Sequence, residues 1–175
     1  MTTGNIFLQS AVARFESYKK TGDKALAQLS EAQCFHRPTE NANSIAMIVH
    51  HVQGNMLSRW TNFLTEDGEK PWRNRDAEFE DFHCPKEELL QKWNEGWNCL
   101  FNALNNLTDE DLDKTIYIRT EPLTVCDAIV RQLMHYAYHV GQIVFYAKIL
   151  MDKDWKPLSI PVGESGQFNK RMGMK

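Results

Sequence analysis

The sequence predicts an all-α fold, a four-helix bundle, and three observations support this prediction. Four segments place apolar residues at intervals of three and four, which is the period of a helix that buries one face. Each segment is long enough for a helix of roughly 30–40 Å, the usual length in such bundles. The chain length of 175 residues and the apolar fraction of 42% fit one domain with a sizeable core. We therefore expect residues 1–175 to form a single domain.

The first two predicted helices are separated by a polar stretch. The first covers residues 5–29, which carry a broad apolar stripe. Residues 30–43 are polar and contain the Arg-Pro-Thr sequence typical of a loop. The second helix covers residues 45–64, with Ser44 as its N-cap.

A long connection over residues 65–85 separates the second and third helices. Extended at about 3.3 Å per residue, it can run the full length of a helix. The two helices that it joins can therefore lie parallel, with the connection crossing over between them. The third helix covers residues 85–106, with Pro85 in the first turn, where proline is favoured.

The fourth helix is predicted over residues 125–151 and is apolar almost all the way round. Thr124 and Asp127 form a variant of the capping box at its start. Residues 115–119 alternate weakly and suggest a short extended piece before it. Residues 156–175 are expected to form a tail packed on the bundle.

Composition excludes several classes of protein. The 20 basic against 23 acidic residues give a net charge of −3, which argues against a nucleic-acid partner bound by a broad basic face. The sequence contains no run of about 18 apolar residues, so no membrane span is predicted. The start of the chain lacks the pattern of a signal peptide, and the four cysteines form no C-x-x-C pair. A cytoplasmic protein with reduced thiols is expected.

The fourth helix carries a polar face within this apolar background. Gln132, His135, His139 and Gln142 follow one another at spacings of three, four and three, which aligns them on one side. Imidazoles at i and i+4 can reach one metal ion, and the two glutamines are candidates for hydrogen bonds to the ligands. A solvent-exposed face is the alternative, but such faces usually carry charged residues. Tyr136 stands where a zincin protease has its catalytic glutamate, so a protease of that class is not expected.

A third ligand is needed, since catalytic sites typically have three protein ligands and an open position. The second helix offers adjacent histidines, His50 and His51. Adjacent helical residues point about 100° apart, so only one of them can face a shared site. The apolar periodicity does not decide between the two. His36 and His83 lie in loops and are expected to be ordinary surface residues.

Two longer segments carry a resemblance to a known group of proteins. They are residues 44–56 (SIAMIVHHVQGNM) and residues 135–143 (HYAYHVGQI), with further support from residues 58–61, residues 67–73 and the Ile160-Pro161 pair. The chain resembles the DinB/YfiT-like superfamily of metal-dependent four-helix proteins, over nearly its whole length. It is similar to a branch of that superfamily whose function is largely unknown.

The resemblance implies an up-down-down-up bundle and a metal site. In related sequences the ligand in the second helix precedes the Asn of a Gly-Asn pair by four residues. This implies His51, together with His135 and His139, as ligands, although His50 beside it departs from the pattern. One divalent ion of the kind that imidazole prefers is expected: zinc, nickel or iron.

Such a site predicts a metal-dependent enzyme acting on a small molecule. Characterised relatives include transferases that use a low-molecular-weight thiol, so the resemblance implies thiol S-transfer first and hydrolysis second. No catalytic residue is predicted, but substrate contacts are assigned to Asn55, Arg59, Trp72 and Arg73. The competing interpretation is a non-catalytic stress or binding protein. In either case the apolar fourth helix predicts a homodimer.

Overall fold

The structure is a computed structural model that describes residues 1–174, and it is mostly helical. A two-stranded antiparallel hairpin pairs Thr115 with Thr124 and Ile118 with Glu121. The predicted helical class is therefore confirmed, and the hairpin extends the single extended piece that the sequence suggested. Within the described range the helices and strands are α1 (Thr3–Gln28), α2 (Glu31–Phe35), α3 (Ile45–Trp60), α4 (Lys86–Asn105), β1 (Thr115–Ile118), β2 (Glu121–Thr124), α5 (Val125–Met151) and α6 (Ser165–Arg171).

Local chemistry fixes the ends of the long helices. Ser44 and Thr124 act as predicted, because their hydroxyls accept hydrogen bonds of 3.1 Å from the backbone N–H groups of Met47 and Asp127. The second predicted helix ends at Trp60 rather than at residue 64. The reason is Asn62, which adopts the left-handed conformation (φ 48°) that ends many helices.

The long helices pack in two lateral pairs, α1 along α5 and α3 along α4. Gln53 donates a 2.6 Å hydrogen bond to Glu95, and the hydroxyl of Thr61, just after the end of α3, lies 3.6 Å from the sulfur of Cys99. Later residues of the α3 segment therefore contact later residues of α4, so the two helices point in the same direction. The core between the pairs is centred on large side chains with almost no exposed surface: Phe15, Trp93, Trp97, Ile129 and Tyr136.

The connection between α3 and α4 is fastened to the tip of the hairpin. The carboxylate of Asp67 accepts hydrogen bonds from the backbone N–H groups of Glu69 (2.7 Å), Arg119 (2.8 Å) and Thr120 (2.8 Å). The connection then forms a short 3-10 turn, Asp76–Phe79, which packs against α3. This turn brings Glu78 next to the part of α3 that carries His51.

The segment after α5 contacts α1. Gln28 and Lys156 exchange two hydrogen bonds of 3.1 and 2.8 Å, and the ammonium of Lys24 donates to the backbone oxygen of Leu158 at 3.1 Å. These contacts join residues 156–158 to α1. Across residues 1–174, every helix is too short or too polar to cross a membrane.

Candidate metal centre

Three histidines from two helices meet between α3 and α5. His135 and His139 lie one turn apart on α5, and His51 faces them from α3. Nε2 of His135 is 3.0 Å from Nε2 of His139 and 3.4 Å from Nε2 of His51. One ligand atom from each of the three residues lies within 4.8 Å of the other two. His51 and His139 are buried, whereas His135 keeps part of its surface exposed.

The opposite ring nitrogens of two of these histidines are held by acceptors. Nδ1 of His51 lies 2.8 Å from Oε2 of Glu78, and Nδ1 of His139 lies 2.8 Å from the amide oxygen of Gln142. A carboxylate or amide oxygen accepts a hydrogen bond, so Nδ1 carries the proton in both rings. The Nε2 lone pairs are then free and point into the shared space, an arrangement typical of metal-bound histidines.

Glu78 is itself fixed by an arginine. Nε and Nη2 of Arg73 donate hydrogen bonds of 2.7 and 2.8 Å to the two oxygens of the carboxylate. Burial raises the pKa of Glu78, but the hydrogen bonds from His51 and Arg73 and the charge of Arg73 outweigh it, so the pKa lies below its ordinary value. Glu78 is therefore a buried anion that accepts hydrogen bonds from His51 and Arg73.

The two imidazoles on α5 are held in their neutral form. Burial, followed by the neighbouring His139 and His51, lowers the pKa of His135 from 6.5 to about 3. Burial and His51 likewise lower the pKa of His139 from 6.5 to about 4. At neutral pH both rings therefore keep the lone pair that a metal ligand needs.

The geometry fits a divalent cation of the type that imidazole prefers. Nitrogens bound tetrahedrally at about 2.0–2.1 Å from a common ion lie about 3.3 Å apart. The distances of 3.0 and 3.4 Å from His135 agree with that value. Three nitrogen donors would leave the fourth position of a tetrahedral ion open to a small molecule.

The two glutamines of the predicted polar face differ in their surroundings. Gln142 bonds to His139, as the sequence suggested. Gln132 is buried, and its amide oxygen has no hydrogen-bond partner within residues 1–174. His50 does not join the centre: its ring packs edge-on against Phe82, with centroids 4.9 Å apart.

The residues predicted to contact substrate lie in different surroundings in the structure. The amide oxygen of Asn55 accepts a 3.0 Å hydrogen bond from the hydroxyl of Tyr136, which itself accepts one of 3.1 Å from the indole of Trp60. Arg59 is buried and pairs with Glu69 at 3.0 Å. Asn55 and Arg59 therefore form hydrogen bonds and an ion pair with other side chains of the protein.

Trp72 and Arg73 are neighbours in sequence but differ in environment. Trp72 is 58% exposed, whereas the side chain of Arg73 is buried in its pair with Glu78. Arg73 therefore reaches the metal centre through Glu78.

Glu78 is the residue that sequence reasoning missed. It stands in a charge-rich segment, Arg75 to Asp81, that has no helical or strand period. The nearest usable signal was Gly54, one turn beyond His50 and His51. A β-carbon at position 54 would collide with Oε1 of Glu78, so the glycine leaves room for the carboxylate.

The fold and the site together define a mostly helical protein with three convergent imidazoles, one of which is braced by a buried carboxylate. The chain belongs to the family described as "Protein of unknown function (DUF1572)", which matches residues 2–164. Among solved structures it is similar to a conserved protein from Enterococcus faecalis. That similarity has a TM-score of 0.62 and 15% sequence identity, and it covers 86% of this chain and 98% of the other; it supports the fold alone. No curated protein matches this chain.

Proposed function

We propose that this protein binds one divalent metal ion through His51, His135 and His139 and is a metal-dependent enzyme. Its fold in this proposal is a DinB/YfiT-like four-helix bundle with up-down-down-up topology. The observation that carries the proposal is the pair of braced histidines. Nδ1 of both His51 and His139 is occupied by an acceptor at 2.8 Å, which leaves Nε2 for the ion. A core packed only for stability has no need to aim three such nitrogens at one another.

The ion would supply Lewis acidity at a position open to a small molecule, lowering the pKa of a water or thiol that reaches it. The chain's own groups have separate tasks. Glu78 holds the proton on Nδ1 of His51 and orients the ring, and Gln142 does the same for His139. Arg73 keeps Glu78 ionised. Zinc, nickel and iron all suit this donor set.

Thiol S-transfer is the reaction that we place first, and hydrolysis is the alternative. Neutral ligands leave the charge of the ion undiminished, which favours a thiolate as the bound nucleophile. Both reactions need a metal and an open position, so metal loading is the first test of either.

The test is metal binding by the untagged full chain. We expect about one Zn²⁺ or Co²⁺ per chain after reconstitution, and a loss of at least tenfold in affinity in His135→Asn and in His139→Asn. His83→Asn is the matched control, because His83 is exposed and pairs only with Glu31 in the described structure. A wild-type protein that takes up no metal, or histidine variants that bind like the wild type, would overturn the proposal.

A homodimer is the second part of the proposal, and exposed apolar residues on α5 support it. Val130, Met134 and Tyr138 are 40%, 68% and 62% exposed and lie one turn apart on the outer face of α5. Such a stripe is typical of a surface that a partner covers. Gly141 continues the stripe and leaves open space around its α-carbon, so a second helix can approach closely.

Sedimentation at micromolar concentration tests the dimer. We expect wild type to sediment as a dimer and Met134→Glu as a monomer. Leu64→Glu is the control, since Leu64 is also exposed (40%) but lies in the connection after α3. A monomeric wild type would contradict this part of the proposal and would leave metal binding unaffected.

A further inference from the structure

A cleft of about 460 Å³ opens beside the candidate metal centre, between the loop that precedes α3 and the C-terminal half of α5. This volume is within the usual range for small-molecule sites. Its walls include Asn43 from the loop, Ile48 from α3 and Gln142, Phe145 and Ile149 from α5.

The cleft is connected to the centre through two residues. Gln142 lines the cleft and also holds Nδ1 of His139 at 2.8 Å. Ile48 lines it from α3 and precedes His51 by three residues, so both walls lie one helical turn, about 5 Å, from a metal ligand. The cleft therefore begins about one helical turn from two of the three candidate ligands.

The lining has a distinct chemistry. Phe145 and Ile149 present apolar surface and are 68% and 57% exposed, while Asn43 and Gln142 add neutral amides. Within residues 1–174, the lining contains no acidic or basic side chain. The charged groups near the centre, Arg73 and Glu78, approach His51 from the connection instead.

We infer that this cleft binds the uncharged, apolar portion of a substrate whose polar head group reaches the metal. The inference rests on the proposed metal function and gives the class of its substrate: an amphiphilic small molecule with one coordinating group and a neutral hydrocarbon or aromatic tail. Phe145 and Ile149 cover the tail, and Gln142 lies between the tail and the head.

The probe is a series of linear alkanethiols from propanethiol to heptanethiol, added to the cobalt-loaded full chain. The sulfur-to-cobalt charge-transfer band reports binding of the head group independently of any enzymatic activity. We expect the dissociation constant to fall by up to about fourfold with each added methylene, the gain for burying one such group. Because the lining is uncharged, 6-mercaptohexanoate is expected to bind at least tenfold more weakly than hexanethiol.

Two variants locate the tail. Phe145→Ser should reduce the gain per methylene by half or more. Ile6→Ser is the control, because Ile6 is also exposed (51%), lies on α1 and does not line the cleft. Both side chains are on the surface, so neither change should disturb folding.

The outcomes separate the inference from the proposed function. Failure of cobalt to load overturns the proposed function and the inference with it. Normal loading with affinities that ignore chain length, or a Phe145→Ser variant with the wild-type gain, overturns the inference alone. A Phe145→Ser variant that changes only the sedimentation coefficient assigns the face to a second copy of the chain, which also overturns the inference.

Discussion

Gly54 on α3 lies directly against the carboxylate of Glu78, so that a β-carbon at position 54 would overlap Oε1. The carboxylate cannot retreat without leaving Arg73 and His51, both of which it contacts at less than 3 Å. A residue without a side chain is therefore required for Glu78 to brace the ligand.

The first prediction follows from this contact. Gly54→Ala should displace Glu78, free the ring of His51 and lower the affinity for Zn²⁺ by about 10- to 100-fold, the usual effect of losing such a partner. Competition titration with a chelator measures it. Gly141→Ala is the control: nothing lies within 4 Å of the added methyl group, so metal affinity should be unchanged. Equal affinities in both variants would show that Glu78 does not act on the centre.

The second prediction concerns the buried pair of Arg73 and Glu78. Glu78→Gln removes one charge and leaves the other buried, with only 2% of the Arg73 side chain exposed. We expect the free energy of unfolding to fall by about 3 kcal/mol. The double variant Arg73→Met/Glu78→Gln should recover part of this loss, because no unpaired charge remains. Urea denaturation gives the free energy of unfolding of the metal-free wild type, both single variants and the double variant. Additive effects of the two substitutions would argue against an interaction between Arg73 and Glu78.

The third prediction is a pH dependence of stability. The unfolded chain takes up protons on His135 and His139 near their ordinary pKa of 6.5, whereas the folded chain does so only near 3 and 4. The unfolded state therefore binds more protons between these values, and the free energy of unfolding should fall as the pH is lowered from about 7 to 5. Urea denaturation of metal-free protein at several pH values measures this slope. The His135→Asn/His139→Asn variant should have a flatter profile, and an unchanged slope would contradict the assignment.

The fourth prediction separates stability from metal binding. The hydroxyl of Tyr136 connects Trp60 to Asn55, and Tyr136→Phe leaves both of these buried groups without their partner. We expect a loss of roughly 2–6 kcal/mol in the free energy of unfolding, because two groups are orphaned and each costs about 1–3 kcal/mol. Zinc affinity should stay within about threefold of wild type. A larger fall in affinity would mean that this network positions the centre.

Much of the helical framework is predictable from the sequence because its signals are local. The sequence predicts the fourth helix over residues 125–151, and α5 extends over Val125–Met151, since Thr124 supplies a cap and apolar residues continue along the whole segment. The spacing of His135 and His139 likewise places the two rings together on any α-helix. These inferences need no knowledge of the tertiary structure.

Other features depend on contacts between distant segments. The hairpin turns at Arg119 and Thr120, both with positive φ (55° and 65°), and the Asn-Gly or Asp-Gly pair that usually announces such a turn is missing. Asp67 stabilises this unusual turn from 52 residues away in sequence. Glu78 reaches His51 through an irregular segment, for which periodicity has no predictive value.

The fastening of the connection at Asp67 has a consequence for the lifetime of any ion held at the centre. Arg73 and Glu78 follow Asp67 on the same segment, so a transient opening that releases the segment from the hairpin also withdraws the brace from His51. Ion dissociation would then keep pace with local unfolding of this segment, and amide hydrogen exchange in residues 67–80 would slow when the ion binds.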